Sequence, residues 1–397
     1  MKTVPPEIEC CVSDPVTGMQ GFLVIDRLVN NVSWGGVRIM PEVRIEELRG
    51  CAETMTNKYA FLGMEIGGAK AGLSIPSDTT NEKRNEMLWS FGRNIAPYLK
   101  THTYLLGVDM GATVQDIKEI AKGAGMPLRN FRKWKDISHL YTAWSVAVTI
   151  NEVCQSIKLP LKGMKVAIQG FGSVGASLAT ELDKMGVCVV AISNTSGMLY
   201  NPDGLDVMKL VGLREKGKGE LAEYMTQSGD LFYNKKEIFA LPVDVLVPCA
   251  QHFSINDSNI ESIQAKIICS GANIPMNKEI EGVLNKRGIL CLPDFVANSG
   301  GVLGSVMRQF VSDEKIKEFI DVEYARKVRS VIARAKDMNV SVGACARDMV
   351  EGKINNLDSR ENKKSFSQRV LKHIKKITPR FVKKSVALGH FKKMIHI

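Results

Sequence analysis

The residues best suited to chemistry in this 397-residue chain form the run Gly170-Phe171-Gly172-Ser173-Val174-Gly175. An apolar stretch at 165–169, typical of a buried strand, precedes the run, and a helical pattern at 176–182 follows it. In that context the first glycine permits a tight turn, the second lets a pyrophosphate approach the backbone, and the third lets helix and strand pack closely. The unpaired N–H groups at the start of the helix attract an anion. The pattern therefore favours dinucleotide binding over an ordinary strand–turn–helix connection.

Two lysines and an aspartate form a second candidate group. Lys58 lies at the edge of an apolar helical stripe, and Lys70 lies in a predicted glycine-rich loop, Gly63 to Gly72. The lysines could converge on a small acidic ligand, one as a fixed charge and one as a base with a lowered pKa. They could equally be solvated side chains that reach water. Asp109 ends an apolar strand, and periodicity alone favours a helix cap there, since Thr113 to Asp116 has capping-box character.

The elements that must position these residues fall into two regions. In the first region the patterns predict strands within 18–40, a helix at 44–62, a helix at 80–99, a strand near 103–108 and a connector at 121–138. A long helix from Thr142 to Ile157 opens the second region. There, short apolar runs separated by helical stretches predict a parallel sheet with right-handed crossovers. The runs are 166–168, 187–192, 243–247, 267–269 and 289–292, and residues 313–350 are predicted to be helical.

Composition excludes several classes of protein. No charged-then-apolar signal pattern opens the chain and no apolar run approaches about 20 residues, so we expect a soluble cytoplasmic protein. The nine cysteines are scattered without a CxxC pair, which favours reduced core thiols over disulfides, and the dispersed histidines predict no metal site. The net charge of +11 lies entirely after Glu361, because the preceding residues balance.

Several motifs, in the family's order, resemble those of the glutamate, leucine, phenylalanine and valine dehydrogenase superfamily up to about residue 350. They are Gly35-Gly36-Val37-Arg38, Thr56-Asn57-Lys58, Gly67-Gly68-Ala69-Lys70, Asp109-Met110-Gly111, Ala167 to Gly175, Tyr200-Asn201-Pro202-Asp203-Gly204-Leu205, Gly271-Ala272-Asn273 and Asn298-Ser299-Gly300-Gly301-Val302.

The resemblance implies NAD(P)-dependent oxidative deamination of an L-amino acid to a 2-oxo acid and ammonia. It implies that Lys58 holds the substrate α-carboxylate, that Lys70 is the general base that activates water, and that Asp109 relays protons to and from the amino group. The other implied substrate residues are Trp34, Gly35, Gly36, Asn298 and Ser305. The implied cofactor residues are Thr142, Gly170, Phe171, Gly172, Ser173, Val174, Gly175, Ser193, Asn194, Ala250 and Asn273.

The expected fold is α/β with two domains. The resemblance implies an N-terminal α/β substrate and oligomerisation domain and a Rossmann-type doubly wound parallel sheet, separated by a cleft that closes to expel water. The predicted divisions are 1–138 for the first domain, 139–325 for the NAD(P)-binding domain, 326–360 for helices that return to the first domain, and 361–397 for a basic C-terminal extension. A closed homo-oligomer is expected from the resemblance alone.

Trp34 departs from the family pattern. Glutamate-specific members place a lysine there to pair with the side-chain carboxylate, and members acting on apolar substrates place an aliphatic residue. A desolvated carboxylate without a partner costs on the order of several kcal/mol, so Trp34 favours an apolar or aromatic substrate over glutamate. Ser305 argues the other way, because it matches a serine that glutamate enzymes use. A glutamate dehydrogenase and a catalytically silent nucleotide-binding paralogue remain the alternatives.

Two further departures concern the cofactor and the tail. The end of the second nucleotide-domain strand carries Ser193 and Asn194, with no acid for a ribose 2′-OH and no adjacent cation for a 2′-phosphate, so NAD and NADP stay open. The tail from residue 361 interleaves apolar residues with lysines and arginines, and Pro379 would break a continuous helix. We expect a solvated extension partly packed on the first domain. The alternative is contact with an anionic partner such as nucleic acid or membrane lipid.

Overall fold

The structure is a computed structural model that describes residues 5–128, 136–215, 221, 231–358 and 391–395. The described residues up to Asp136, with those of 350–358, form one compact unit, and Ile137–Met349 with 391–395 form a second. No helix among these residues is long and apolar enough to cross a bilayer.

The first unit is a mixed five-stranded sheet covered by helices. Its sheet has the order β1-β2-β4-β3-β5, in which β3 runs parallel to β4 and β5 while β2 is antiparallel to β1 and β4. The elements are β1 (Ile8–Asp14), β2 (Met19–Ile25), β3 (Ser33–Met40), α1 (Ile45–Leu62), β4 (Gly67–Ser74), α2 (Asn81–Asn94), α3 (Ala96–Lys100), β5 (Tyr104–Val108) and α4 (Val114–Gly123).

Strand β4 corrects the predicted loop at Gly63 to Gly72. Its small residues suggested a loop, but they are small because α1 packs directly on this central strand. A Cβ on Gly68 would lie 2.2 Å from Thr56 N, and one on Gly72 would lie 2.6 Å from Val43 Cγ1. Lys70 therefore projects from a strand between β2 and β3, which fixes its backbone more firmly than a loop would.

The second unit contains the predicted parallel sheet. Its order is β12-β11-β10-β6-β7-β8-β9, and the first five of these strands are the predicted ones. The strands are β6 (Lys165–Gln169), β7 (Cys188–Ser193), β8 (Met198–Tyr200), β9 (Leu231–Tyr233), β10 (Val245–Pro248), β11 (Ile267–Cys269) and β12 (Leu290–Leu292). The α/β class with a parallel sheet is confirmed. The sequence analysis missed β8 and β9, short antiparallel strands at one edge.

Helices precede, separate and follow these strands along the chain. They are α5 (Ser138–Ser156), α6 (Ser173–Lys184), α7 (Val207–Glu215), α8 (Lys278–Lys286), α9 (Asp294–Ala297), α10 (Gly300–Met307), α11 (Asp313–Phe319), α12 (Ala325–Asp337) and α13 (Val342–Asp358). Short 3₁₀ turns occupy Lys235–Ala240 and Ile260–Ser262, and a π turn occupies Ile320–Tyr324. Helix α5 begins at Ser138, four residues before its predicted start.

The described part of the tail, residues 391–395, packs on the second unit. Residues 391–395 are helical, and the Phe391 ring lies 5.9 Å from that of Phe310 and 6.5 Å from that of Phe319. Lys392 Nζ lies 3.1 Å from Glu323 Oε1. These contacts follow from Phe391, Met394 and Ile395, which form the buried face of the segment. The rest of the tail lies outside the described residues, so its expected partial packing on the first domain and the alternative of an anionic partner both stay predictions.

Candidate active site

A buried cluster of charges occupies the first unit. Lys70 Nζ, on β4, lies 2.7 Å from Asp109 Oδ1, just beyond the end of β5. Arg38 Nε, on β3, lies 2.9 Å from Asp109 Oδ2. Lys70 is 2% exposed and Arg38 is 3% exposed, and the Asp109 side chain between these two cations is 17% exposed. The cluster is a preorganised site for proton transfer or for holding a polar ligand.

The electrostatics of the cluster keep Asp109 ionised. Burial alone would raise the pKa of Asp109, but the charges and hydrogen bonds of Lys70 and Arg38 hold that pKa well below its usual range. Asp109 is therefore not the cap that periodicity favoured. The cap of α4 is Thr113, whose hydroxyl accepts from Asp116 N at 3.2 Å while the Asp116 carboxylate accepts from Thr113 N at 2.7 Å. This capping box is confirmed.

Two glycines make room for the cluster. A Cβ on Gly35 would lie 1.6 Å from Ala69 O and 3.1 Å from Lys70 N. A Cβ on Gly36 would lie 2.7 Å from Asp109 Cβ. Both glycines, predicted as substrate residues, therefore let β3 approach the backbone of Lys70 and the side chain of Asp109.

Lys58 and Trp34 belong to the same unit as the cluster. Lys58 is 5% exposed on α1, so neither it nor Lys70 is a solvated surface lysine. The Trp34 ring stacks on Tyr59, with centroids 6.3 Å apart and planes 20° apart. Gly107 faces the indole, since a Cβ there would lie 3.3 Å from Trp34 Nε1.

Sequence analysis missed the contribution of Arg38. Its guanidinium also bonds the Glu47 carboxylate in the first turn of α1, which ties the helix to the cluster. The available signal was its position in Gly35-Gly36-Val37-Arg38, next to two predicted site residues. Its pairing with Asp109 spans 71 residues and is invisible to local patterns.

The glycine run of the second unit has the geometry predicted for it. Gly170 adopts φ +101°, a conformation that favours glycine, and its N–H donates to Ser193 O at 2.9 Å. A Cβ on Gly175 would lie 1.9 Å from Gly170 O, whereas one on Gly172 would meet nothing within 4 Å. Helix α6 starts after Gly172 without a side-chain cap. The loop thus offers an open face and the N–H groups of a helix start to a phosphate.

The other predicted cofactor residues surround this loop. Ala250 packs on Gly170, and Val174 packs on Gly271, each within about 3 Å of the position that a glycine Cβ would take. Asn194 does not reach outward with its carbonyl oxygen, because Oδ1 accepts from Ser196 N at 2.8 Å and from Gly197 N at 3.2 Å. Ser193 is buried at the end of β7.

Cations lie near the end of β7, contrary to expectation. Lys235 Nζ donates to Thr195 O at 3.1 Å from 40 residues away. Arg214, on α7, donates from Nε to Phe171 O at 3.2 Å and lies 3.4 Å from Ser173 Oγ. The expectation of no adjacent cation is wrong because it considered only neighbours in sequence.

A second group of predicted residues gathers around Asn298. Its Nδ2 donates to Ala272 O at 3.1 Å and to Asn273 Oδ1 at 3.2 Å. Its Oδ1 is buried and accepts from no donor in the described part of the chain. A ligand N–H at this position would satisfy that acceptor, which fits a nicotinamide carboxamide or a substrate amino group.

Thr142, on α5, and Ser305, within α10, both lie close to Gly301. A Cβ on Gly301 would lie 2.3 Å from Thr142 Oγ1, so helix α5 approaches α10 closely there. The Ser305 hydroxyl donates to Gly301 O at 2.7 Å within its own helix. The single hydrogen-bond donor of Ser305 is therefore already engaged by the helix backbone.

The two-unit α/β fold, the charge cluster around Asp109 and the glycine run of the second unit define a class of protein. That class is the nucleotide-dependent amino-acid dehydrogenases. The family model for Glutamate/Leucine/Phenylalanine/Valine dehydrogenase matches residues 136–357, and the model for the dimerisation domain of the same family matches residues 8–124. The chain belongs to the Glu/Leu/Phe/Val dehydrogenase family.

Known relatives agree with this assignment. The NAD-specific glutamate dehydrogenase A of Halobacterium salinarum is 30% identical over 319 residues, which cover 75% of this chain and 72% of that protein. The NADP(+)-dependent glutamate dehydrogenase of Pyrobaculum calidifontis is 28% identical over 320 residues, or 76% of each chain. The hetero-hexameric glutamate dehydrogenase of Thermus thermophilus shares the fold, with a TM-score of 0.76 at 24% identity over 91% of both chains.

Proposed function

We propose that the protein catalyses the NAD(P)-dependent oxidative deamination of an L-amino acid with an apolar or aromatic side chain, or the reverse reductive amination. The observation that carries the reaction is the pair of Lys70 and Asp109, held 2.7 Å apart across strand β3, which lies between β4 and β5. A bound NAD or NADP would supply the acceptor for the hydride of the substrate Cα. The glycine run and the buried acceptor of Asn298 fit that cofactor, and Thr142, Asn273 and Ala250 are its further proposed contacts.

The proton transfers fall to the first-unit cluster. Asp109, kept as a carboxylate, accepts a proton from the substrate amino group. Lys70 in its neutral form takes a proton from the water that attacks the imine, and Asp109 returns its proton to the nitrogen that leaves as ammonia. The proton on Lys70 passes to solvent when the products leave. Lys58 supplies the fixed cation for the substrate α-carboxylate.

Trp34 supports an apolar or aromatic substrate. Its ring fills the space beside Gly107 and carries no positive charge. An acidic side chain placed against this indole would lose its hydration without gaining a cation. Ser305, whose donor is already used by Gly301 O, is a poor substitute for an ammonium group.

Glutamate is the second candidate substrate. The names of the sequence relatives favour it, and Ser305 matches the serine of glutamate enzymes. We further propose that the protein assembles as a homo-oligomer, in line with the dimerisation domain that the family match contains.

A substrate panel tests the proposal. NAD(P)H absorbance is followed with leucine, valine, phenylalanine, tryptophan and glutamate, each with NAD and with NADP. We expect an apolar or aromatic amino acid to have the highest kcat/KM. Faster turnover of glutamate than of all four others would replace the first candidate with the second, and no turnover of any amino acid would favour a silent nucleotide-binding paralogue.

A further inference from the structure

The loop after β11 has an unusual backbone conformation at Ile274. This residue adopts φ +46°, in the left-handed region, where a β-branched side chain is rarely found. The loop after β10 bends in the same way at Phe253, which adopts φ +50°. The two bends meet, because Phe253 N donates to Ile274 O at 2.8 Å. Both loops follow the carboxyl ends of parallel strands, where ligands bind in open α/β sheets, so strain here points to a functional role.

Asp294 holds the bend at Ile274. Its Oδ2 atom accepts a hydrogen bond from Ile274 N at 2.8 Å, and the residue is 9% exposed. Loss of a buried acceptor would leave the Ile274 N–H without a partner, which is costly, so this bond helps to fix the loop conformation. Asp294 also begins helix α9, and its backbone carbonyl accepts from Asn298 N at 2.8 Å. One residue thus anchors both the loop after β11 and the end of α9.

The two anchored segments carry a pair of side-chain amides. Asn273 directly precedes the bend, and its Oδ1 accepts from Asn298 Nδ2 at 3.2 Å. Asn298 Nδ2 also donates to Ala272 O at 3.1 Å. These bonds orient Asn298 so that its buried Oδ1 is the atom without a donor in the described part of the chain. The orientation of both amides therefore depends on the loop that Asp294 anchors.

We propose that Asp294 is a positioning residue for the nicotinamide end of the cofactor and acts through Asn273 and Asn298. The inference rests on the proposed function, in which these amides contact NAD or NADP. The carboxylate compensates for the unfavourable φ of Ile274, and the bend orients both amides before the ligand arrives, which lowers the cost of ordering them on binding. Without this anchor the loop would relax toward a negative φ and lose that orientation.

Nucleotide titration of the full chain separates positioning from a general loss of structure. NADH carries the nicotinamide ring, and ADP-ribose lacks it. In Asp294→Ala we expect the Kd of NADH to rise about tenfold, since a buried hydrogen bond is lost, while the Kd of ADP-ribose changes less than about twofold. Asp294→Asn keeps an oxygen that accepts from Ile274 N and should hold the Kd of NADH within about threefold of the wild-type value.

The matched control is another carboxylate of the same unit. Asp244 Oδ2 accepts from a backbone N–H too, that of Lys165 at 2.9 Å, but it lies at the amino ends of β6 and β10. Asp244→Ala should therefore leave the Kd of both ligands unchanged.

A second substitution tests the role of the strained backbone. Glycine adopts a positive φ without steric cost, so Ile274→Gly in the Asp294→Ala background should restore NADH affinity by at least about threefold. Ile274→Val keeps a β-branched side chain and should restore nothing.

The outcomes separate this inference from the proposed function. Equal losses of NADH and ADP-ribose affinity in Asp294→Ala, or no recovery with Ile274→Gly, would overturn the positioning role and leave the proposed function standing. The same holds if Asp294→Asn loses as much NADH affinity as Asp294→Ala. A wild-type chain that binds neither NADH nor NADPH would overturn both.

Discussion

The two units hold charge by different means. In the first, side chains on adjacent strands build the site: Lys70, Arg38 and Asp109 form a buried ion cluster. In the second, the backbone builds it: the glycine run leaves an open loop face before an uncapped helix start. Glycines serve both units, but Gly36 makes room for another residue of the protein, whereas Gly172 leaves room for a ligand.

This difference separates the expected responses to mutation. A side-chain cluster loses its chemistry when one charge is removed, while the fold survives if the remaining charges still pair. A backbone site tolerates loss of side chains but responds to an added Cβ. The variants below test that separation.

Removal of Lys70 should have the largest effect. In Lys70→Ala, kcat should fall about 10³-fold, because general-base catalysis contributes 10²–10⁴-fold. Asp109 keeps Arg38 as a partner, so the fold and NADPH binding should persist. Stopped-flow turnover, far-UV circular dichroism and nucleotide titration measure the three quantities. Lys83→Ala, an exposed lysine of the same unit, is the control, and a Lys70→Ala enzyme with near-normal kcat would exclude the proposed base.

Removal of Arg38 should shift the pH profile. Arg38→Gln removes one of the two cations that hold the pKa of Asp109 low, so that pKa rises. Protonated Asp109 cannot accept a proton, so the acid limb of kcat/KM should move to higher pH while activity near neutrality changes less than activity at acid pH.

The pH dependence of folding stability should change in the same direction as the pH dependence of activity. A carboxylate with a lowered pKa in the folded state stabilises the fold above its unfolded pKa of about 3.9, and this contribution is lost as pH falls through the folded value. In Arg38→Gln the folded pKa of Asp109 is higher, so this contribution to stability is smaller and its loss is complete at a higher pH. Arg49→Gln removes an exposed arginine that pairs with Glu9 and is the matched control. An acid limb unmoved by Arg38→Gln would show that Asp109 is not the titrating group.

The glycine run provides the converse test. Gly172→Ala adds a Cβ where nothing lies within 4 Å, at φ −76°, so stability should hold while NADPH affinity falls about tenfold. Gly175→Ala places a Cβ 1.9 Å from Gly170 O and should also cost roughly 1–3 kcal/mol of unfolding free energy. Urea titration and nucleotide titration separate the two. Gly212→Ala, in open space on α7, is the control, and a stable Gly175→Ala with full affinity would refute the close-packing role.

Local signals explain which parts of these sites the sequence could predict. The five parallel strands and the glycine run can each be recognised from a few consecutive residues, and the structure contains them. Strand β4 does not, because its glycines and alanines are typical of a loop and become a strand only where α1 and two neighbouring strands require small residues. Arg38 contacts Asp109, which is 71 residues away in the sequence, and Lys235 contacts Thr195, which is 40 residues away. Periodicity relates residues within one helix or strand, so it cannot predict such pairs.

Substitution of Trp34 tests the substrate specificity of the first-unit site and should have a smaller effect than the preceding variants. Trp34→Lys places a cation where the indole lies and should raise the ratio of glutamate to leucine kcat/KM about tenfold, since it gives a desolvated carboxylate a partner. Trp34→Leu removes the ring without adding charge and should leave that ratio low. Steady-state kinetics with both substrates measure it. If Trp34→Lys and Trp34→Leu give the same ratio, Trp34 does not contact the substrate side chain.

The C-terminal segment should give the smallest effect, because its contacts with Phe310, Phe319 and Glu323 involve none of the proposed site residues. Phe391 packs against Phe310 and Phe319, so Phe391→Ala removes a buried ring. A core Phe→Ala change costs about 3–5 kcal/mol, but a terminal segment can undock, which limits the loss to its own docking free energy. We expect Tm to fall by a few degrees with kcat and NADPH affinity unchanged. Lys393→Ala, on the exposed side of the segment, should leave Tm unaltered. A large loss of kcat in Phe391→Ala at temperatures well below Tm would instead connect this segment to the catalytic machinery.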